Sequence, residues 1–192
     1  MKVEDSGMPE ESYWNSLFNI PSIIKWLEIK SIIDPIVEIG CGYGTFTVPI
    51  AKETNNIIYS FDIEPSTIDM AQNNIDQAGL QNVKLSLRDV IDQGTGIGSK
   101  SVGLVLFFNI LHFNERRNML EESCRILKQS GRIAIIHWRK DIEPPRGPRL
   151  DLRPDQQIIL NSIVGLDLYF NGNSRILEPY HWGMQLIKGA NN

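Results

Sequence analysis

Short apolar runs rich in β-branched residues recur along the chain, with polar or amphipathic stretches between them. PIVEIG (35–40), NIIYSFD (56–62), VKLSL (83–87), VGLVLFFN (102–109) and RIAIIHW (132–138) read as strands. Between them the apolar positions change to helical spacing. After Pro65, residues Ile68, Ala71, Ile75 and Ala78 fall on one helix face, and Gly79 supplies a stop. NERRNMLEESCRILKQSG (114–131) repeats apolar positions at Leu120, Cys124 and Leu127, with Asn114 as N-cap and an end before Gly131. Strands separated by single helices predict right-handed βαβ units around a buried, mainly parallel sheet.

The pattern changes beyond Trp138. A Pro/Arg-rich loop, EPPRGPRLDLRPD (143–155), leads into a helix near 154–164. GLDLYFN and YHWGMQLIK then follow as strands joined by NGNSRILEP, with no helix between them. That arrangement predicts an antiparallel hairpin at one end of the sheet. Ahead of the first strand, EESYWNSLF and IPSIIKWLEI predict two short helices that cover the sheet or a ligand. The whole of 1–192 reads as a single domain, with a helical cover over 1–30 and the binding core over 31–192.

Composition narrows the function without defining it. Apolar residues make up 42% and charged residues 22%, an ordinary globular balance. A net charge of -4 argues against a broad basic face for nucleic acid. Cys41 and Cys124 stand far apart with no CxxC or Cys/His cluster, so neither a disulfide framework nor a metal site is expected. The start, MKVEDSGMPEES, is too acidic for a signal peptide, and no apolar run approaches the roughly 18 residues of a membrane span. A cytoplasmic protein is the expectation.

The chemistry concentrates in VEIGCGYGTF (37–46), where Gly40, Gly42 and Gly44 follow the first strand. A Gly-rich turn there lies at the carboxyl edge of the sheet, where open α/β sheets bind ligands. Dinucleotide sites need G-x-G-x-x-G; counting from Gly40 the third position is Thr45, and the third glycine comes one residue early. Asp62 closes the second strand, where a carboxylate can accept the hydroxyls of a ribose. These features point to an adenosine-like ligand.

VEIGCGYGTFTVPIA and YSFDIEPSTIDMA, with LRDV, FFNILHF and ILKQSGRIAII at matching intervals, resemble the class I S-adenosylmethionine-dependent methyltransferases. The resemblance is to the small-molecule, ubiquinone/menaquinone-biosynthesis branch and covers about residues 35–138. It implies a Rossmann-like seven-stranded, mostly parallel sheet with helices on both faces. It also implies a role for each matched residue. Glu38 ends the first strand, and Gly40, Cys41, Gly42, Tyr43 and Gly44 cradle the methionine moiety. Asp62 takes the ribose hydroxyls and Ile63 one adenine face. Asp89 accepts the adenine amine, Val90 offers its N–H to the ring, and Asn109 and Ile110 flank the methionyl portion. Departures are SVG (101–103), in place of an acidic residue opening the fourth strand, and the glycine-rich DQGTGIGSK (92–100), where a helix is often found.

The implied reaction is in-line methyl transfer, in which the protein aligns the acceptor and excludes water. His112, His137 and His181 all fall near the carboxyl edge, and His137 and His112 are the candidates for proton transfer, with His137 first. Tyr13, Trp14, Trp138, Arg139 and His181 are candidate acceptor contacts. The basic residues of the loop after Trp138 either receive an acidic acceptor or form ion pairs with the acidic residues among them. The tetrapeptide of nucleic-acid amino-methylating enzymes is absent; NILH stands in its place, and a small-molecule acceptor is expected. A nicotinamide-dependent oxidoreductase or a non-catalytic cofactor-binding relative are the alternatives.

Overall fold

The computed structural model describes residues 8–189, so residues 1–7 of the expected 1–30 cover, and 190–192, lie outside the described residues. Seven strands form one sheet: β1 (Ile36–Ile39), β2 (Ile58–Asp62), β3 (Val83–Leu87), β4 (Val102–Phe108), β5 (Leu127–Trp138), β6 (Leu168–Leu177) and β7 (His181–Lys188). Their order is β3-β2-β1-β4-β5-β7-β6. The first five pair in parallel, and β7 runs antiparallel between β5 and β6. The Rossmann-like sheet with a C-terminal antiparallel pair is therefore present.

Seven α-helices accompany the strands among the described residues: α1 (Glu11–Ser16), α2 (Ile20–Leu27), α3 (Thr47–Glu53), α4 (Pro65–Gln77), α5 (Val90–Gln93), α6 (Arg116–Ile126) and α7 (Gln156–Ser162). Side-chain caps start several of them. Glu10 accepts the Ser12 and Tyr13 N–H groups, Asn19 that of Ser22, and Asp155 that of Ile158. Proline stands in the first turn of α2 and of α4, where a missing N–H costs little. None of the described helices is long and apolar enough to cross a membrane.

Strand alternation divides the core between the two sheet faces. One face gathers Val105, Phe107, Ile133, Ile135, Trp182 and Met184 against Met119, Leu120 and Ile126 of α6 and Ile159 of α7. The other gathers Leu104, Leu106, Phe108, Ile136 and Trp138 against Ile23, Trp26 and Leu27 of α2 and Ile50 and Ala51 of α3.

Two boundaries differ from the pattern reading. The helix expected over 114–131 starts two residues later and stops at Ile126, because Leu127 turns extended and pairs with Val102 at the amino ends of the interior strands β4 and β5. Burial of Leu127 outweighs the helix preference of LKQ. The register then jumps from Val102↔Leu127 to Leu104↔Arg132, so a bulge absorbs Lys128–Gly131. The segment NGNSRILEP is mostly strand, since β6 runs on to Leu177 past a register shift between Phe170 and Ser174. Between β3 and β4 the outcome agrees with the departure noted at DQGTGIGSK: only the four residues of α5 are helical, and the glycine-rich stretch after it is irregular.

At the crossing of α2 and β7, Gly183 carries the close approach. A Cβ there would lie 2.7 Å from the Trp26 ring and 2.8 Å from Leu177. Gly183→Ala is therefore expected to lower stability by about 1–3 kcal/mol through overpacking, read as a shifted urea midpoint at unchanged slope.

Candidate active site

A cavity of about 460 Å³ opens at the carboxyl ends of β1, β2, β3 and β4, within the size range of small-ligand sites. Its wall follows the strand order. Asp89 follows β3, Asp62 closes β2, Gly40 follows β1, and Asn109 follows β4. Three inter-strand spacings separate the two ends, about 14 Å. An elongated ligand carrying a nucleoside at one end and a short chain at the other matches that span.

The glycine-rich turn is bound to its neighbours from two sides. Gly40, Gly42 and Gly44 all have positive φ. Gly40 is the constrained one: at φ +77° its Cβ would sit 2.7 Å from Ile110 Cγ2, so only a bare backbone passes there. Gly40 and Cys41 donate their N–H groups to Phe61 O, and Gly42 donates to Asp62 Oδ2 at 2.8 Å. The other carboxylate oxygen, Oδ1, accepts from Ile63 and Glu64. Asp62 is thus a brace for the loop as well as a wall of the cavity. Asp89 likewise caps α5 through Ile91 and Asp92 while lining the same wall.

Of the residues expected to hold a cofactor, Gly40, Cys41, Gly42, Tyr43, Asp62, Ile63, Asp89, Val90, Asn109 and Ile110 line the cavity. Glu38 and Gly44 stand outside the lining. Glu38 lies beneath the turn, fully buried, and accepts a hydrogen bond from the Thr47 hydroxyl. Burial pushes its carboxyl up to about 8; the Thr47 bond opposes that rise and Asp62 adds to it. Burial also pushes the Cys41 thiol well above its ordinary value, so it is no ready nucleophile.

The histidines share one edge but not one face. His137 and Trp138 are consecutive in β5 and point to opposite sides of the sheet. His137 pairs with Trp182, lies among the α6-side residues and stands 5.6 Å from the His112 ring. His181 pairs with Trp138 on the other side, where its ring stacks 4.5 Å from Phe18 and 4.2 Å from Trp138. Only His112 lines the cavity among the described residues. The Nδ1 of His137 accepts the Trp138 N–H, which places the ring proton on Nε2. Burial first, then His112, His181 and Arg153, drive its pKa well below the ordinary value.

Trp14 reaches the cavity from the N-terminal cover, whereas Tyr13 is exposed and outside the lining. Trp138 packs behind Trp14 at 6.2 Å. The basic loop residues are matched internally: Arg139 with Asp141 and Glu178, Lys140 with Asp155, Arg149 with Asp151. Arg153 donates to Pro148 O and Arg139 O. No group of three or more His, Cys, Asp or Glu among the described residues is arranged to hold a metal.

Sequence reasoning missed two contributions. Ser66, Thr67 and Met70, in the first turns of α4, complete the wall beside Asp62. Asn74 donates both to Tyr43 O and to Glu11 Oε1, tying the turn to α1. The helical spacing of Ser66 and Met70 was a usable signal; the long-range partners of Asn74 carried none.

Comparisons with known proteins agree with this geometry. A family profile described as "Methyltransferase domain" matches residues 33–159. The human protein named EEF1A lysine methyltransferase 2 is 26% identical over 139 residues, covering 67% of this chain and 59% of its own length. This chain thus spans less than two thirds of that relative. A solved S-adenosylmethionine-dependent methyltransferase from Aquifex aeolicus superposes with a TM-score of 0.79 at 19% identity, covering 93% of this chain and 94% of its own. Magnesium protoporphyrin IX methyltransferase from Synechocystis PCC 6803, solved with bound cofactor, gives 0.69 at 15% identity over 96% and 86%. With the profile spanning well over half its length and the turn, acidic strand ends and sheet order in place, the chain belongs to the class I S-adenosylmethionine-dependent methyltransferase family.

Proposed function

We propose that this protein transfers the methyl group of S-adenosylmethionine to a small-molecule acceptor. The observation that carries the reading is the cradle at Gly40. Ile110 occupies the space a side chain would take, leaving main chain exposed beside the acidic ends of β2 and β3. That is the shape an adenosine joined to an amino-acid chain requires. When bound, the cofactor supplies both the methyl group and the positive charge that makes its sulfur a leaving group.

The protein's own task is alignment and exclusion of water. Asp62 and Asp89 serve the nucleoside end, the Gly40–Tyr43 turn and Asn109 the amino-acid end. Met8 and Trp14 cover the opening. His112, on the wall, is the group placed to touch an acceptor, and His137 stands behind it as a neutral N–H donor. The enclosing cover favours a small acceptor, because a protein side chain would have to enter past α1. The name of the human relative points instead to protein lysine, so the acceptor is the part to test.

Methyl-labelled cofactor incubated with a cell extract should place label in the low-molecular-weight fraction; label confined to protein would remove the small-acceptor reading. S-adenosylmethionine and its demethylated product should both bind by calorimetry, with NADH not binding. Gly40→Ala should weaken binding of both by about tenfold or more, since the variant combines a strained φ with a clash against Ile110.

Glu38 gives a pH signature. Its carboxyl titrates near 8 in the fold against an ordinary 4.5. Between those values the unfolded chain releases a proton that the fold keeps, so rising pH favours unfolding. Its contribution is complete below pH 4.5 and lost by about pH 8. The stability of Glu38→Gln should therefore rise relative to the parent across that window, by at most about 1.4 kcal/mol per pH unit. Paired urea titrations from pH 5 to pH 8 read it, and parallel curves would sink the assignment.

A further inference from the structure

Among the described non-glycine residues of the cavity wall, Asn109 alone has a left-handed backbone. Its φ is +62°, left-handed and uncommon outside glycine, and its N–H donates to Ile136 O. With the backbone fixed in this way, the side chain crosses β5 and its Nδ2 meets His181 Nε2 at 3.3 Å. Both residues are buried. The amide oxygen, Oδ1, is a buried acceptor with no partner among the described residues.

His181 is well suited to hold that amide in one orientation. Its ring is wedged between Phe18 and Trp138, so it has little freedom to turn. Burial alone carries its pKa down to about 3, so the ring stays neutral across the working pH range and, facing the Asn109 amide N–H, accepts at Nε2. An asparagine whose N–H is taken by such a ring turns its oxygen away from it. A carbonyl left buried and unmet is costly, and a donor on a ligand filling the cavity would relieve that cost.

Resting on the methyltransferase reading, we propose that His181 is a positioning residue for the amino-acid end of the cofactor. By accepting the Asn109 amide N–H, it reserves the Asn109 oxygen for the ligand's ammonium group. His181 touches no ligand in this scheme. It acts through Asn109 from the far side of β5.

Two ligands separate this role from a structural one. S-adenosylhomocysteine carries the ammonium; methylthioadenosine has the same nucleoside and thioether but no amino-acid chain. His181→Phe keeps the stacked ring and removes the acceptor. It should weaken S-adenosylhomocysteine binding by about tenfold and leave methylthioadenosine within about twofold, and His181→Gln should restore the difference. Equal losses for both ligands, or none, would overturn the proposal while leaving the cofactor reading intact. A parent protein that binds neither ligand would overturn both. Nitrogen-15 NMR of the parent provides a check independent of any variant. The Nδ1–H tautomer of His181 is expected, and an Nε2–H tautomer would reverse the amide and refute the scheme.

Discussion

The bond from the Gly42 N–H to the Asp62 carboxylate is the contact on which the site depends. It joins the turn after β1 to the end of β2, so the wall that would receive a ribose also sets the shape of the main-chain cradle. Each feature alone is common among α/β proteins. Coupled, they fix where the acidic wall and the main-chain cradle lie relative to each other. Ile110, arriving from β4, closes the third side and explains why the turn tolerates no Cβ at Gly40.

A second layer of polar ties joins this turn to the N-terminal cover. The Tyr43 hydroxyl donates to Pro9 O, the Thr45 hydroxyl to Asn15, and Asn74 bridges Tyr43 O and Glu11. The cover packs Phe18 and Leu17 into the core, yet α1 itself buries no residue fully. Its seat is therefore set by hydrogen bonds to the very loop that forms the cradle, and any shift of that loop is felt by Trp14.

Much of the fold was legible because apolar periodicity and glycine placement are local signals. The five parallel strands, the turn and Asp62 follow from positions read a few residues at a time. The rest depends on contacts distant in sequence. Leu127 leaves a helical pattern because Val102 needs a partner, and β6 extends through polar residues because β7 offers an edge. The histidines show the same limit. Their common level along the strands was readable from strand ends, but which face each takes rests on a parity of one residue in β5 and on the pairing of Trp138 with His181. The wall residues of α4 belong to an intermediate case, visible as a helical stripe but without chemistry that marks them.

Because β7 lies between β5 and β6, the strands β6 and β7 enter the sheet in the reverse of their order of synthesis. A nascent chain that has emerged only as far as β6 presents β5 with an open, apolar edge, and the adjacent slot must wait for β7. Vectorial assembly on the ribosome thus leaves the half of the cleft bearing Asp62 and Asp89 buildable early. The half bearing His181 is completed only once β7 has followed β6 out of the ribosome.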